Sequence, residues 1–236
     1  MSKKVALVFG GSRGIGAACV KALTDAGFDL AYTYVSNPPA TATPGVKAYA
    51  ADIRDLDAVA RVFADVEKDF GAAPTCVVAN AGINVAPGPI TGFDPDDFRK
   101  LVDVNIVGAF NILTEAGKRV PDGGTIIAIT TSMVRFAPPN GGAYTATKAA
   151  VESMVRAMSK ELASRQVRVN AVAPGPVDTD LFRIGKSDEV IAKMASFSPL
   201  NRIADPSEIA EVVSFLASEK SSWVLGQVVQ PNGGMV

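Results

Sequence analysis

Histidine is absent from this chain of 236 residues, which removes the Ser-His hydrolases and any dehydrogenase that uses histidine as its general base. Cysteine occurs only twice, at Cys19 and Cys76, so no Cys/His zinc set can form and a zinc alcohol dehydrogenase is excluded. Cys19 falls in an expected helix and Cys76 opens an expected strand, so both read as buried, reduced thiols. Neither sign of charge is in excess. The formal net charge is −1, which offers no electrostatic footprint for a nucleic-acid partner. No apolar run approaches the length of a membrane span, so no membrane partner is expected. The run within the opening MSKKVALVFG is too short for a signal peptide and reads as a first strand. A soluble, cytoplasmic protein is expected, and acid–base chemistry in it must come from Tyr, Lys, Asp, Glu or Ser.

What is present is ordinary for a globular domain: 48% hydrophobic and 20% charged residues, with no internal repeat and no linker. One domain over residues 1–236 is expected. Short apolar runs alternate with longer helical patterns, which implies an α/β fold with a parallel sheet. The expected strands are Val5–Phe9, Leu30–Tyr34, Val46–Ala50, Cys76–Ala79, Thr125–Ile129, Val167–Ala171 and Gln227–Gln230. Most are apolar throughout, as in a sheet with helices on both faces. Leu56, Val59, Phe63, Val66 and Phe70 recur at helical period, so Asp55–Phe70 is a helix with one apolar stripe. Asp94 and Pro95 start a helix running to about Lys118, and Asp205, Pro206 and Glu208 start another with a capping-box pattern. Between the second and third strands, SNPPATATPG carries Pro38, Pro39 and Pro44 and no stripe. The crossover helix usual there is expected to be missing or vestigial.

Directly after the first strand comes FGGSRGIG, with Gly10, Gly14 and Gly16, then a helical stretch to about Ala26. Glycines let the backbone approach a pyrophosphate, and the helix N-terminus presents free N–H groups to it. The arrangement points to a bound dinucleotide. An acidic residue at the end of the second strand would select NAD through its ribose hydroxyls. Here Tyr34-Val35-Ser36 stands instead, and Arg13 and Ser36 would meet a 2′-phosphate. NADP(H) is therefore favoured, with NAD(H) kept as the alternative.

Tyr144 and Lys148 lie four residues apart on an expected helix and share a face. An ammonium beside a phenol would lower a pKa that is about 10 in free tyrosine and bring it nearer a range useful for proton transfer. Taken with FGGSRGIG, Asp52-Ile53, Ala79-Asn80-Ala81-Gly82, Asn105, Ser132 and Pro174-Gly175, in that order along the chain, the sequence resembles the short-chain dehydrogenases/reductases. The C-terminal run from PLNRIADPSEIAEVVSFLAS to GQVVQPNGG is similar to their 3-oxoacyl-carrier-protein reductase members. The resemblance covers essentially the whole chain. It implies a Rossmann-like, doubly wound domain with a seven-stranded parallel sheet.

The resemblance also implies roles. Tyr144 would exchange a proton with the substrate oxygen while the nicotinamide exchanges a hydride with its carbon. Lys148 would hydrogen-bond the nicotinamide ribose and lower the tyrosine pKa, Ser132 would hold the substrate oxygen, and Asn105 would help hold a relay water. Gly10, Ser12, Arg13, Gly14, Ile15, Gly16, Tyr34 and Ser36 would surround the phosphates and adenosine. Asp52 would bind the adenine amine beside the Ile53 backbone, Asn80, Ala81 and Gly82 would line the ribose, and Pro174, Gly175, Val177 and Thr179 would hold the carboxamide. Two departures stand out. Phe9 replaces the usual Thr before the first glycine, so a hydrogen bond that organises the turn is expected to be absent. Ser132 also lies one residue nearer to Tyr144 than the family spacing; Thr131 restores that spacing as a second hydroxyl.

The segment from Asp178 to about residue 200 falls where the family places its substrate lid. Leu181, Phe182, Ile184, Met194 and Phe197 would close an apolar pocket, with Ile83, Val134, Arg135 and Phe136 as further wall residues. A ketone or secondary alcohol with apolar bulk is the expected small-molecule partner. Three function classes follow: an NADP(H)-dependent carbonyl reductase, an NAD-dependent alcohol, polyol or steroid dehydrogenase, and a non-catalytic dinucleotide sensor. The Tyr144, Lys148, Ser132 and Asn105 set argues against the sensor. The family also implies a homotetramer, with the helix carrying Val151, Val155, Met158 and Leu162 packed on its symmetry mate.

Overall fold

The apolar runs pair side by side as parallel strands. The protein is described by a computed structural model over residues 4–36, 45–184 and 186–236. Its strands are β1 (Val5–Phe9), β2 (Asp29–Tyr34), β3 (Val46–Ala50), β4 (Cys76–Ala79), β5 (Thr125–Ile129), β6 (Arg168–Val172) and β7 (Val228–Val229). They form one seven-stranded sheet in the order β3-β2-β1-β4-β5-β6-β7, parallel at every pairing. β1, β3, β4 and β5 match the sequence expectation. β2 begins one residue earlier, β6 sits one residue later, and β7 is shorter at both ends.

The helices are α1 (Gly14–Asp25), α2 (Leu56–Phe70), α3 (Pro95–Leu101), α4 (Ala109–Arg119), α5 (Met133–Phe136), α6 (Gly142–Glu161), α7 (Asp180–Arg183), α8 (Asp188–Ala195) and α9 (Pro206–Ala217). Successive residues of a strand face opposite ways, and β1 uses both directions. Val5, Leu7 and Phe9 join the core with Val59, Phe63 and Val66 of α2. Ala6 and Val8 join the opposite core with Cys19 and Leu23 of α1 and Ile209, Val213 and Leu216 of α9. This is why β1, β4 and β5 are buried at every position, whereas edge strand β3 is partly exposed. Both cysteines are free and buried, and burial pushes each thiol up to about 12.

Caps fix several helix starts. Asp55 accepts from the N–H groups of Asp57 and Ala58, and Asp205 and Glu208 complete a reciprocal capping box on α9. The helix expected from Asp94 to about Lys118 is not uniform: a π-helical stretch, Val102–Gly108, separates α3 from α4 and carries Asn105. In the α6 stripe, Val151 and Val155 are buried in this subunit's own core, with the partly buried Met158 and Leu162 packed against it. The expected loss of the crossover helix concerns residues 37–44, which lie outside the described residues. No helix among the described residues is long and apolar enough to cross a membrane.

Chain order reverses between β1 and β4, the place where an open α/β sheet leaves a crevice at its strand C-termini. That crevice lies between the turn after β1 and the loop after β4.

Candidate active site

The turn after β1 is held without the usual threonine that Phe9 replaces. Gly10 N donates to Thr33 Oγ1 at 3.0 Å, and Gly11 N donates to Thr33 O at 3.0 Å. A buried β2 side chain thus does what Phe9 cannot. Asn80 Nδ2 donates to Gly10 O at 2.8 Å and Phe9 O at 3.3 Å, tying the turn to the loop after β4. A Cβ at Gly16 would collide with the Gly10 carbonyl oxygen and lie 2.6 Å from Asn80 Nδ2. Only glycine lets α1 start this close. No side chain caps the N-terminus of α1, and no acidic residue sits in its first turn. Its free N–H groups and positive dipole end suit an anion.

A cleft of about 440 Å³ runs from this turn across the strand ends. It is lined by Gly10, Ser12, Arg13, Gly14, Ile15, Gly16, Tyr34, Ser36, Asp52, Ile53, Asn80, Ala81, Gly82 and Thr179 from the expected cofactor set. Thr33, Val35, Ala51, Arg54, Ile83, Val104, Asp180 and Leu181 complete the lining. Arg13 is exposed on the cleft and has no acidic partner among the described residues. Asp52 is less free than expected. Arg54 grips both its oxygens, with Nη2 at 2.6 Å from Oδ2 and Nε at 3.1 Å from Oδ1, and that hydrogen bonding holds the carboxyl below its usual range. Asn111 Nδ2 supports this wall by donating to Ile53 O at 2.9 Å and Arg54 O at 3.1 Å.

Lys148 and Asn105 meet beside Gly82, one of the residues that line the cleft. A Cβ on Gly82 would lie 3.1 Å from Asn105 Oδ1 and 3.2 Å from Lys148 Nζ. The π-helical stretch leaves Asn105 buried, where its amide is used twice over. Oδ1 accepts from Ile83 N, while Nδ2 donates to Ile83 O at 2.9 Å and to Thr147 Oγ1 at 3.2 Å. Lys148 Nζ donates to Ile129 O at 3.0 Å, and burial pushes its ammonium down to about 8. The half-buried Tyr144 is shifted upward by burial, to about 12, instead of downward by the lysine. Desolvation of the phenol is the cause of this shift.

The two hydroxyls after β5 differ. Ser132 is fully buried: Oγ donates to Ala173 O at 2.6 Å and accepts from Asn232 Nδ2 at 3.0 Å. Thr131 Oγ1 accepts from Met133 N at 3.2 Å and reaches Pro174 O only at 3.5 Å. Tyr144, Lys148, Pro174, Gly175 and Val177 lie outside the cleft lining. Val177 is buried in the core and bridges Ala204, so its side chain is a packing group. Thr179 caps α7 by accepting from Phe182 N at 3.1 Å. Beyond it, α7 and α8 make up the expected lid. Leu181 and Ile184 stay exposed, and Phe197 meets Phe136 with ring centroids 4.9 Å apart. Phe197, after α8, thus packs on the segment carried by α5.

A family model described as enoyl-(acyl carrier protein) reductase matches residues 10–236. A short-chain type dehydrogenase/reductase of Picea abies is 38% identical, over 99% of this chain and 92% of its own length. The chain belongs to the short-chain dehydrogenase/reductase family. Among its relatives, NADPH-dependent aldehyde reductase 2, chloroplastic, of Arabidopsis thaliana is 35% identical over 99% of this chain and 94% of its own. A blue fluorescent protein from a metagenomic library, solved in complex with NADPH, superposes with a TM-score of 0.88 at 31% identity, covering 99% of this chain and 98% of that one. This short-chain dehydrogenase/reductase is an NAD(P)-dependent oxidoreductase by family.

Sequence reasoning missed Thr33 and Arg54 in this member of the family. Thr33 sits in the interior of β2 and gives no local sign of its turn-holding role. Arg54 could have been suspected, because a cation two residues after Asp52 can fold back onto it.

Proposed function

We propose that this chain is an NADP(H)-dependent reductase of ketones, and in reverse a dehydrogenase of secondary alcohols, with Tyr144 as the general acid/base. The observation that carries this reading is the continuity of the site. An uncapped α1 N-terminus and Arg13, which has no acidic partner among the described residues, occupy one end of the cleft, and Lys148 and Asn105 meet Gly82 at the other. The residues present fit a dinucleotide: Gly16 leaves space that a Cβ would fill, and β2 ends without a carboxylate at Tyr34-Val35-Ser36. Arg13 and Ser36 suit a 2′-phosphate, which favours NADP(H) over NAD(H). The NADPH named for the Arabidopsis relative and the metagenomic protein supports the same choice.

When bound, the dinucleotide supplies or accepts the hydride. Tyr144 supplies the proton. With its phenol pushed up to about 12, it keeps that proton at neutral pH, the form in which it donates to a carbonyl oxygen. Lys148, charged below about 8, stabilises the phenolate left behind, and its remaining N–H donors are free to meet a ribose. Asn105 holds the Ile83 backbone against the Thr147 side of α6 and so fixes where Tyr144 and Lys148 stand. For the hydroxyl that holds the substrate oxygen, we assign Thr131 in place of Ser132. The Ser132 proton is engaged by Ala173 O, whereas the longest contact of Thr131 lies at the limit of a hydrogen bond. Leu181, Phe136 and Phe197 favour a substrate with apolar bulk and help exclude water.

The test is a panel of ketones and secondary alcohols with NADPH and NADH, run on wild type, Tyr144→Phe and Thr131→Ala. Tyr144→Phe should lower kcat by about a thousandfold with NADPH affinity unchanged, and Thr131→Ala by about a hundredfold. Turnover by Tyr144→Phe at the wild-type rate would end the catalytic reading, and a clear NADH preference would end the NADP(H) one.

The proposal extends to a cytoplasmic homotetramer. Two buried, reduced thiols suit a reducing compartment, and large apolar side chains remain exposed at Phe98, Val107, Phe110, Phe215 and Trp223.

A further inference from the structure

The C-terminal turn reaches the centre of the site. Asn232 is buried, and its Oδ1 accepts from Gly234 N at 3.0 Å and Met235 N at 3.1 Å, closing the turn locally. Its Nδ2 points elsewhere, donating at 3.0 Å to Ser132 Oγ, one hundred residues away in sequence. Ser132 passes the link on to Ala173 O at 2.6 Å, and its own N–H donates to Pro174 O at 2.8 Å. On the other flank Gly175 N donates to Pro231 O at 3.2 Å. A Cβ on Gly175 would come within 3.0 Å of Asn232 Cα, so the two backbones are in direct contact.

Three segments therefore meet at one pair of side chains: the loop after β5, the loop after β6 and the C-terminal turn. The same turn also holds the end of the lid, because Ser198 Oγ donates to Gly233 O at 2.6 Å. Buried polar networks of this kind restrict a loop to one arrangement when every member is satisfied, and no buried side-chain polar atom here lacks a partner.

We infer that Asn232 and Ser132 form a positioning pair that holds the Ala173–Gly175 loop in the shape that receives the carboxamide end of the dinucleotide. Neither residue touches the reacting atoms. Asn232 acts through Ser132, and Ser132 acts through Ala173 and Pro174. The inference rests on the NADP(H) reading above and assigns to Ser132 a structural link in place of a hydroxyl facing substrate. The two roles predict opposite kinetic signatures. A positioning link lost from Ser132 weakens dinucleotide binding and leaves turnover at saturation nearly intact, whereas a substrate-facing hydroxyl lost from Ser132 lowers kcat and leaves dinucleotide binding intact.

The experiment compares wild type, Asn232→Ala, Ser132→Ala and the double variant. NADPH affinity is read from nicotinamide fluorescence, kcat at saturating NADPH from a ketone assay, and local opening from amide hydrogen exchange without NADPH. Each single variant should raise the NADPH Kd about tenfold, equivalent to about 1.4 kcal/mol, with kcat changed less than about threefold. Peptides spanning residues 172–177 should exchange faster in both. The double variant should resemble either single one, because both remove the same link. If Asn232→Ala does not fold, Ser132→Ala decides the matter, since it leaves the local turn of Asn232 with Gly234 and Met235 in place. Unchanged Kd and exchange in Ser132→Ala would overturn the inference, as would a large loss of kcat with unchanged Kd, or singles whose effects multiply in the double variant. Wild type that turns over ketones with NADPH while the variants match it refutes only this pair. Wild type that does not bind NADPH refutes the functional reading and the inference with it.

Discussion

Replacing Gly16 by Ala tests the tightest contact in the dinucleotide cleft. The added Cβ would collide with the Gly10 carbonyl oxygen and approach Asn80 Nδ2 to 2.6 Å, and both are fixed parts of the turn. The Gly10 oxygen cannot retreat freely, because it accepts from Asn80 at 2.8 Å and its own residue is pinned through Gly10 N to Thr33 Oγ1. Either α1 slides outward or the Asn80 hydrogen bond breaks. Overpacking of this kind costs about 1–3 kcal/mol and a broken buried hydrogen bond about 1 kcal/mol more. For a domain of this size each kcal/mol lowers Tm by about 2–4 °C, so a fall of roughly 5–15 °C is expected. NADPH affinity should fall at least about tenfold, because displacing α1 moves the N–H groups that face the phosphates. Differential scanning fluorimetry and a fluorescence titration with NADPH read both effects. Gly27→Ala serves as the control. At φ +85° with open space around it, it bears only the left-handed backbone strain, about 1–2 kcal/mol, far from the cleft. Gly16→Ala with a Tm and a Kd indistinguishable from wild type would refute the close-approach argument.

Thr33→Val removes the acceptor of Gly10 N at constant shape and should cost about 1–3 kcal/mol, seen as a lower Tm together with weaker NADPH binding; an unchanged Kd would mean that the turn holds itself. Lys148 gives a pH prediction. Its folded-state value of about 8 lies below the ordinary 10.5, so between these values the unfolded chain binds more protons and stability rises with pH. Urea denaturation should show wild type gaining about 3 kcal/mol on Lys148→Met between about pH 7 and about pH 10.5, and a flat difference would refute the buried ammonium. Sedimentation should show a tetramer, and a monomer at micromolar concentration would refute the assembly proposal.

The legible part of this protein was local. Strand limits at β1, β3, β4 and β5 could be read because their apolar runs are bounded by glycine, charge or turn residues within the segment itself. The helix starts at Asp55, Asp94 and Asp205 could be read for the same reason, since a cap needs only its own next three residues. Most of the cleft lining was legible as well, because the glycine turn follows from its place between the first strand and first helix, and the other strand-end residues from the family resemblance. The π-helical stretch around Asn105 gave no such sign, because it depends on contacts with Ile83 and Thr147 on other elements.

On the Tyr144 and Lys148 pair, sequence and structure divide the work. The four-residue spacing puts Tyr144 and Lys148 on one face of α6, and the family resemblance of the surrounding motifs marked them as the expected proton-transfer pair. Their ionisation was decided only by the tertiary structure: burial acts on the phenol and the ammonium in opposite directions, and burial is a property of everything packed around them. The same holds for Ser132. Its place after β5 marked it as a hydroxyl near the site, but its partner Asn232 lies at the far end of the chain, and a contact at that separation exists only once the sheet has closed.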